Sequence, residues 1–347
     1  MLLFIDSFDH YGGSVQAEQK WSTLSNATYA GGNARTGSQG IQCGASNTAG
    51  SLSKILGTNE STLIMGSAVR FGSFTPSDAS TNILSFLDGV TTQIALRQSS
   101  DGLGKLILYR GDGTTQLDIT GNNAFSVDVW CYIEMKVTFD GTSGSVEVRL
   151  NGSEILSFSG DTTQSANNYA NVIKIAGYRT QSGAVEFDDF YLCNGSGGVN
   201  DDFLGDVRVD CLHPNGNGNT SQLVGNDGNS TDNYLLVDET TSPNSDTDYV
   251  QSATVDEKDT YAFDNLVPTT GTVFGVQINA WARKTDAGAR GIKSVARHSA
   301  TEEDSAASTL STTYSYHRDI RETKPGGGTW TISDVNGAEF GVKVAAA

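Results

Sequence analysis

The chain has 347 residues, with 40 Gly, 5 Pro, a formal net charge of −18 and a sequence pI near 4.4. Hydrophobic residues make up 37% of it and fall in short periodic runs, which excludes a disordered chain and provides enough apolar material for two domains. The negative charge would repel nucleic acids and anionic lipid surfaces, so we expect neither nucleic acid nor a membrane as a partner.

The N-terminal segment from Met1 to Asp6 is predicted to be a strand and not a targeting signal. It has no basic region, its apolar run is too short for a signal peptide, and no later segment approaches the length of a membrane span. We therefore expect the protein to fold in a cytoplasm. Its four cysteines are widely spaced, without a Cys-x-x-Cys pair, which indicates reduced thiols.

Short alternating segments predict antiparallel strands throughout the first half of the chain. The segments from Lys105 to Tyr109 and from Thr115 to Ile119 are joined by a Gly-containing turn, which predicts a hairpin. The segments from Ile133 to Phe139 and from Val146 to Leu150 predict a second hairpin. Asn151-Gly152 follows it, and such a pair is typical of the next tight turn because both residues tolerate positive φ.

The strand from Ile133 to Phe139 has the clearest alternation of the chain. Its apolar residues are expected in a core, whereas Glu134 and Lys136 on the opposite face are expected to meet water. Regular short strands of this kind predict a sandwich or a jelly roll.

A domain boundary is predicted where apolar residues vanish, between Asn194 and Asn200. This divides the chain into a first domain over 1–195, a linker over 196–201 and a second module over 202–347. We expect the second module to open with a strand within Asp201 to Asp210. Helix is expected to be almost absent, with one short turn near Thr301 to Asp304.

Trp281 is the most unusual aromatic residue of the second half. A predicted strand from Thr272 to Lys284 places Trp281 on its polar face, with Asn279 and Arg283. Trp281 can therefore mark a contact surface, or it can pack beneath a loop such as the glycine run at Gly326 to Gly328.

The first half of the chain resembles the laminin-G-like and concanavalin-A-like lectin and glucanase jelly rolls. The matching stretches are Phe4 to Asp9, Trp130 to Glu134, Gly144 to Gly152 and Phe187 to Leu192. The second half resembles a β-sandwich module that accompanies such jelly rolls in tailed-phage virion proteins. There the matching stretches are Phe203 to Asp210, Gly275 to Ala280, Trp330 and Glu339 to Lys343. The predicted fold class is all-β, with two antiparallel β-sandwich domains of jelly-roll type in tandem.

This resemblance implies a non-enzymatic structural protein of a bacteriophage particle, made in the host cytoplasm. It would be an appendage or decoration component of the capsid, neck or collar, or tail, with copies of itself and other virion proteins as partners. The alternative is a carbohydrate-binding receptor-recognition module of a tail fibre or spike, which would hold a glycan of the host surface. Trp281 and Tyr191 would then be candidate contacts for the glycan or for a protein partner.

The closing strand of the first half places a tyrosine where glucanases of this fold carry an acid. Such enzymes use a Glu-x-Asp-x-x-Glu strand, because retaining hydrolysis needs two carboxylates on one face at close separation. The stretch from Glu186 to Tyr191 begins with the right residues and then has Tyr191 at the position of the second Glu. We therefore predict no catalytic residues and no enzymatic activity.

Four carboxylates remain as candidates for a metal site. The resemblance implies that the first and last strands of the jelly roll pair, which would bring Asp6, Asp9, Asp188 and Asp189 together. Oxygen ligands of this kind suit calcium, so calcium is the one cofactor considered. The alternative is a structural role, in which Asp188 and Asp189 end a strand or accept hydrogen bonds from loop amides.

Overall fold

The computed structural model describes residues 1–45, 47–74, 81–179 and 183–346. The chain divides into two compact units. The first comprises Met1–Asp9 and Gly13–Val209, and the second comprises His10–Gly12 and Asp210–Ala347. No helix in the described ranges is long and apolar enough to span a membrane.

The first unit is built almost entirely from strands. In order, its described elements are β1 (Leu2–Asp6), α1 (Ser14–Lys20), β2 (Thr23–Ser25), β3 (Ala27–Ala30), a 3-10 turn (Gly31–Asn33), β4 (Gly40–Cys43), β5 (Ala49–Glu60), β6 (Thr62–Phe71), β7 (Asn82–Asp88), β8 (Thr91–Gln98), β9 (Leu106–Arg110), β10 (Thr115–Ile119), β11 (Trp130–Thr138), β12 (Gly144–Leu150), β13 (Ser153–Gly160), β14 (Ala170–Tyr178) and β15 (Val185–Asn194).

Two antiparallel sheets form this unit. One has the strand order β13-β12-β11-β6-β15-β4-β3, with β1 paired to β15, and the other has the order β10-β9-β8-β7-β14-β5-β2. The apolar side chains of β11 point into the core as predicted, and Phe139 just beyond β11 meets Phe86 of the other sheet at 5.8 Å between ring centroids. Both predicted hairpins are confirmed, as β9 with β10 and β11 with β12.

The second unit has one larger sheet and two ribbons. Its described elements are β16 (Pro214–Ser221), β17 (Val224–Gly225), a 3-10 turn (Asn233–Leu236), β18 (Val250–Gln251), β19 (Lys258–Phe263), β20 (Val276–Ala282), β21 (Gly291–His298), β22 (Thr301–Asp304), β23 (Ser308–Thr309), β24 (Ser315–Arg321), α2 (Ile332–Asn336) and β25 (Glu339–Ala345). The sheet has the order β16-β19-β25-β21-β22 with β23 beside β21, and the ribbons are β17-β18 and β20-β24.

A small core holds the second unit together. Ile278 of β20, Ala296 of β21 and Phe340 of β25 pack with Trp330 and with Val335 of α2. The short helix begins with a capping box, in which the side chains of Thr331 and Asp334 each accept a hydrogen bond from the other's backbone N–H. The all-β prediction is confirmed, because every strand pairing named in the two units is antiparallel.

Three local predictions differ from the structure. Thr301 to Asp304 is strand β22 and not a helical turn, because it continues from β21 and pairs antiparallel with it. Lys258 and Lys343 form salt bridges with its Glu302 and Asp304. The segment from Asp201 to Asp210 has no strand. The division into units also differs from the predicted linker at 196–201, because residues 202–209 pack on the first unit.

Glu134 is the fourth difference. The alternation of β11 predicted that its side chain meets water, but only 1% of its surface is exposed. The segment 202–209 crosses this face of the sheet and covers Glu134, which no local pattern in β11 could have indicated.

Candidate functional site

The segment Asp202 to Val209, here called the strap, lies over the polar face of the sheet that contains β11 and β15. It contains no helix or strand. Its backbone is held instead by side chains that β11 and β15 present on that face. The arrangement brings Glu134 of β11 and Tyr191 of β15 together beneath the strap.

Glu134 and Tyr191 form the centre of this site. The Tyr191 hydroxyl donates a hydrogen bond to Glu134 Oε1 at 2.5 Å. Gly205 N–H donates to the same oxygen at 2.8 Å, and Leu204 N–H donates to the Tyr191 hydroxyl oxygen at 3.2 Å. Burial and the neighbouring Glu134 carboxylate raise the pKa of Tyr191 well above its ordinary value. The pair thus serves as an acceptor for the strap and is closed to solvent.

A glycine on the neighbouring strand makes room for Tyr191. Gly66 of β6 pairs with Tyr191 of β15. A Cβ atom added at Gly66 would lie 2.2 Å from Cε1 of the tyrosine ring, so a larger residue there would displace the ring. Tyr132 of β11, the strand beyond β6, has its ring 6.4 Å from that of Tyr191 and nearly parallel to it. The tyrosine ring therefore lies over Gly66, on the side of β15 that faces β11.

Basic side chains hold the rim of the strap. Lys136 forms a salt bridge of 2.9 Å with Asp202, and the guanidinium of Arg149 lies 4.1 Å from the centroid of the Phe203 ring. Arg35 donates to Asp206 at 2.5 Å and to the carbonyl oxygen of Val207 at 3.2 Å. These contacts pair three cations of the first unit with the two carboxylates and the aromatic ring of the strap.

Asp188 and Asp189, two of the predicted metal ligands, connect the strap to the loop after β3. Asp188 Oδ2 accepts hydrogen bonds from Arg35 N at 2.6 Å and from Thr36 N at 3.0 Å. Asp189 Oδ1 accepts from the Thr36 hydroxyl and from Val209 N, both at 2.8 Å. Burial raises the pKa of both carboxyls, and for Asp188 the charge of Asp189 adds to that effect.

Asp6 and Asp9, the other two predicted ligands, are also occupied by donors of the chain. Asp6 pairs with Phe190 across β1 and β15, so the expected pairing of these strands is present. Its carboxylate accepts from Lys20 Nζ at 3.1 Å and from Trp21 Nε1 at 2.7 Å.

Asp9 Oδ1 accepts from Ser38 N at 2.5 Å and from Gln39 N at 2.8 Å. The surroundings of all four carboxylates do not fit calcium. A calcium ion needs carboxylate oxygens that point toward it, whereas the oxygens of these four side chains accept hydrogen bonds from N–H, O–H and ammonium groups. Within the described ranges, no three His, Cys, Asp or Glu side chains are grouped so that they could hold a metal. Asp9, Asp188 and Asp189 instead fasten the loop over residues 35–39, whereas Asp6 binds Lys20 and Trp21.

Trp281 lies in the second unit, on the ribbon of β20 and β24. It pairs with Tyr316 across the ribbon, and its ring is parallel to that of Tyr314 within 6°, at 5.6 Å between centroids. Trp281 Nε1 donates to Ser245 Oγ at 3.3 Å. Trp281 thus packs against a loop, which was one of the two interpretations of the sequence. The loop contains Ser245, whereas the sequence suggested the glycine run at Gly326 to Gly328.

A polar rim surrounds these rings. Arg283 lies 5.1 Å from the centroid of the Tyr314 ring and donates to Asp246 Oδ1 at 2.8 Å, and the Tyr314 hydroxyl donates to the same oxygen at 3.0 Å. These hydrogen bonds, that of Arg283 first, lower the pKa of Asp246. Its side chain is 66% exposed, and Asn279 on the same face of β20 is also exposed. Ionised and amide oxygens beside aromatic edges can bind a ligand rich in hydroxyl groups.

The two predicted contact residues thus have different surroundings. Tyr191 is buried, with 1% of its surface exposed, and contacts the strap. Trp281 is partly exposed beside ionised groups. No local pattern indicated that Glu134, Arg35 and the strap form one site, because these residues lie far apart in the chain.

Comparisons with known proteins concern the fold. No family model matches the chain, and no curated protein matches it. Among solved structures, it is similar to an endo-β-1,4-glucuronan lyase from the fungus Trichoderma reesei, at 12% identity and a TM-score of 0.41, over 56% of this chain and 96% of that one.

Two carbohydrate-binding modules are also similar. One is the CBM2 module of the evolved Dit protein of Lactobacillus casei BL23 phage J-1, at 12% identity and a TM-score of 0.35, over 55% of this chain and 94% of that one. The other is CBM66 from Bacillus subtilis, at 8% identity and a TM-score of 0.32, over 49% of this chain and 93% of that one.

Proposed function

We propose that this protein is a non-enzymatic structural component of a bacteriophage particle, which assembles with copies of itself and with other virion proteins. The observation that supports the non-enzymatic part of this proposal is that the ionisable groups of the first unit are already bonded within the chain, whereas the bacteriophage part rests on the resemblance of the sequence. Glu134, Tyr191, Asp188 and Asp189 are buried and bonded to the chain's own donors. None of these groups is available to a substrate.

Catalysis on a jelly-roll sheet would need such groups to face a groove open to the substrate. A general acid or base acts within hydrogen-bond reach of the proton that it transfers. Here the strap takes that position, with Gly205 N–H on Glu134 and Leu204 N–H on Tyr191. The carboxylate and hydroxyl groups of this face bind a segment of the chain, which supports a structural role for them and not a catalytic one.

The test uses antibodies against the purified chain and electron microscopy of intact phage particles whose genome encodes it. We expect the label at one regular position on the capsid, neck or tail. Label on free protein in the lysate, with none on intact particles, would contradict the proposal. Mass spectrometry of the same purified particles measures the number of copies for each particle.

Carbohydrate binding is the second candidate function, and the rim around Trp281 favours it. Asp246 is largely exposed, and two aromatic rings lie beside it. A glycan array with the purified chain tests this candidate. Competable binding to one class of sugar, lost in Trp281→Ala and kept in Trp130→Ala on the first unit, would support it. Absence of any binding would remove it.

A further inference from the structure

We propose that the outward face of the β20-β24 ribbon binds a saccharide that carries an acidic group. This inference rests on carbohydrate binding, the second candidate function above, and names the class of sugar. The surface, here called the ribbon face, is formed by Asn279 and Trp281 of β20, Arg283 just beyond it, and Tyr316 and Arg318 of β24. The acidic group is a carboxylate or a phosphate, because a guanidinium group binds both through paired hydrogen bonds.

The register of the ribbon brings these side chains to one face. Trp281 lies opposite Tyr316, and Asn279 lies opposite Arg318. Residues directly opposite each other in an antiparallel pair project to the same side of the sheet. Ile278, which alternates with Asn279 along β20, packs in the core of the second unit. The ribbon face therefore points away from that core, and Asn279 and Arg318 on it are exposed.

Two aromatic rings occupy the centre of the ribbon face. The rings of Trp281 and Tyr316 are partly exposed, and their centroids are 4.8 Å apart. Trp281 Nε1 donates to Ser245 Oγ, and the Tyr316 ring meets that of His10 at 5.5 Å in an edge-to-face arrangement. Rings that are held in this way present apolar area to a sugar without losing much conformational entropy on binding.

The two ends of the ribbon face carry different polar groups. At one end Asp246 compensates the charge of Arg283, and the Arg283 guanidinium and the Tyr314 hydroxyl all donate to Asp246 Oδ1. Because this carboxylate is largely exposed, its Oδ2 can accept a hydrogen bond from a sugar hydroxyl. At the other end Arg318 lies opposite Asn279, which is uncharged. The face thus presents a hydroxyl acceptor at one end and a guanidinium group at the other.

Arg318 selects an acidic sugar over a neutral one. A guanidinium group forms two parallel charge-assisted hydrogen bonds with a carboxylate or a phosphate, whereas a sugar hydroxyl is a single neutral acceptor. The chain has a net charge of −18, so an anion approaches it only where cations are concentrated. None of the β20 and β24 residues on this face is acidic, and they are Gln277, Asn279, Trp281, Tyr316, Arg318 and Ile320. The ribbon face is thus a locally cationic aromatic surface, which fits an acidic saccharide.

Comparison of acidic and neutral sugars on the full chain tests this inference. A glycan array identifies the uronate-containing and phosphorylated oligosaccharides that bind, and calorimetry then compares each of them with its carboxyl-reduced or dephosphorylated form. Arg318→Gln removes the charge at an exposed position of the ribbon face. Arg290→Gln, at an exposed ion pair with Asp286 in the same unit, is the matched control.

We expect the wild-type chain and Arg290→Gln to bind the acidic form about tenfold to a hundredfold more tightly than the neutral form, because hydrogen bonds to charged groups are the stronger ones. Arg318→Gln should bind both forms equally, with its affinity for the neutral form unchanged, which shows that the variant is folded. Wild-type binding of the neutral form at least as tight as that of the acidic form, or an acidic preference that persists in Arg318→Gln, would overturn this inference and leave carbohydrate binding in place. Absence of any binding would remove both, while the labelling of particles still decides the structural role.

Discussion

The Tyr191 hydroxyl donates to Glu134 Oε1 at 2.5 Å, on a sheet face that the strap closes. The sequence patterns of the two strands give no sign of this hydrogen bond. The two side chains meet because β11 and β15 each pair with β6. The tyrosine that removes the glucanase motif is thus a structural element, since it joins β15, β11 and the strap through one hydroxyl group.

Removal of that hydroxyl is expected to destabilise the first unit. In Tyr191→Phe, the buried Glu134 loses one donor and Leu204 N–H loses its acceptor, so the free energy of unfolding should fall by about 1.5–3 kcal/mol. Urea denaturation measures the change. Tyr178→Phe is the control, because the Tyr178 hydroxyl donates to the carbonyl oxygen of Asn47 at an exposed position. Equal effects in the two variants would contradict the account.

Gly66→Ala tests the close packing of the same ring. The added methyl group would lie 2.2 Å from Tyr191 Cε1, so the ring or β6 must shift. Overpacking of this kind costs about 1–3 kcal/mol. Gly121→Ala is the matched control, since nothing lies within 4 Å of a Cβ atom there. A thermal midpoint of Gly66→Ala equal to that of the control would show that Tyr191 does not occupy this position.

Lys20→Met tests the buried ion pair that replaces the predicted metal site at Asp6. Both charged side chains are almost completely buried, 3.1 Å apart. Loss of the ammonium leaves the Asp6 charge partly uncompensated, which should lower the free energy of unfolding by about 3–5 kcal/mol. Lys105→Met, at a partly exposed pair with Asp101, should have a far smaller effect. Stabilisation of the wild-type chain by calcium in the same assay would contradict the structural role of Asp6.

The paired carboxyls Asp188 and Asp189 predict a pH dependence of stability. Because their pKa values are raised in the folded state, the folded chain binds more protons than the unfolded chain above about pH 4. The two carboxyls contribute fully to stability at a pH below their pKa in the unfolded chain. This contribution is lost as the pH rises through their pKa in the folded chain. Carboxyls whose pKa is lowered, such as Asp334, add no slope between pH 5 and 8 because they are ionised in both states.

The measurement is the free energy of unfolding from pH 5 to pH 8 in wild type and in Asp188→Asn. We expect the wild type to lose stability relative to the variant as the pH rises. His317, whose pKa is lowered by burial, contributes the opposite slope in both chains, so the difference between them isolates the contribution of Asp188. Parallel curves for the two chains would contradict the raised pKa.

Fold class was accessible from the sequence because the alternation of apolar residues and the turn residues are local signals. The structure confirms which face of β11 points inward, and it confirms the two hairpins. It also confirms the pairing of the first and last strands of the jelly roll. Local patterns also explain the failure at Glu134. Alternation tells which residues share a face, but whether that face meets water depends on the strap, about 70 residues away along the chain.

The candidate site could be predicted only in part from the sequence, because local patterns do not report contacts between distant parts of the chain. The acidic residues Asp6, Asp9, Asp188 and Asp189 were found, but the sequence could not tell a cation from the backbone N–H groups that they bind. Arg35 gave no signal, although it contacts both Asp189 and Asp206. For Trp281, the face of the strand was predictable and the covering loop was not, because Ser245 lies outside any periodic segment.

Hydrogen exchange of the strap tests the central claim most directly, namely that a segment of the chain closes the sheet face that carries Glu134 and Tyr191. Mass spectrometry follows the amides of Leu204, Gly205 and Val209 in the full chain, with those of residues 197–200 as the internal reference. We predict slow exchange at the three strap amides, close to that of β11, and faster exchange in Arg35→Ala. Strap amides that exchange as fast as residues 197–200 in the wild-type chain would contradict the account.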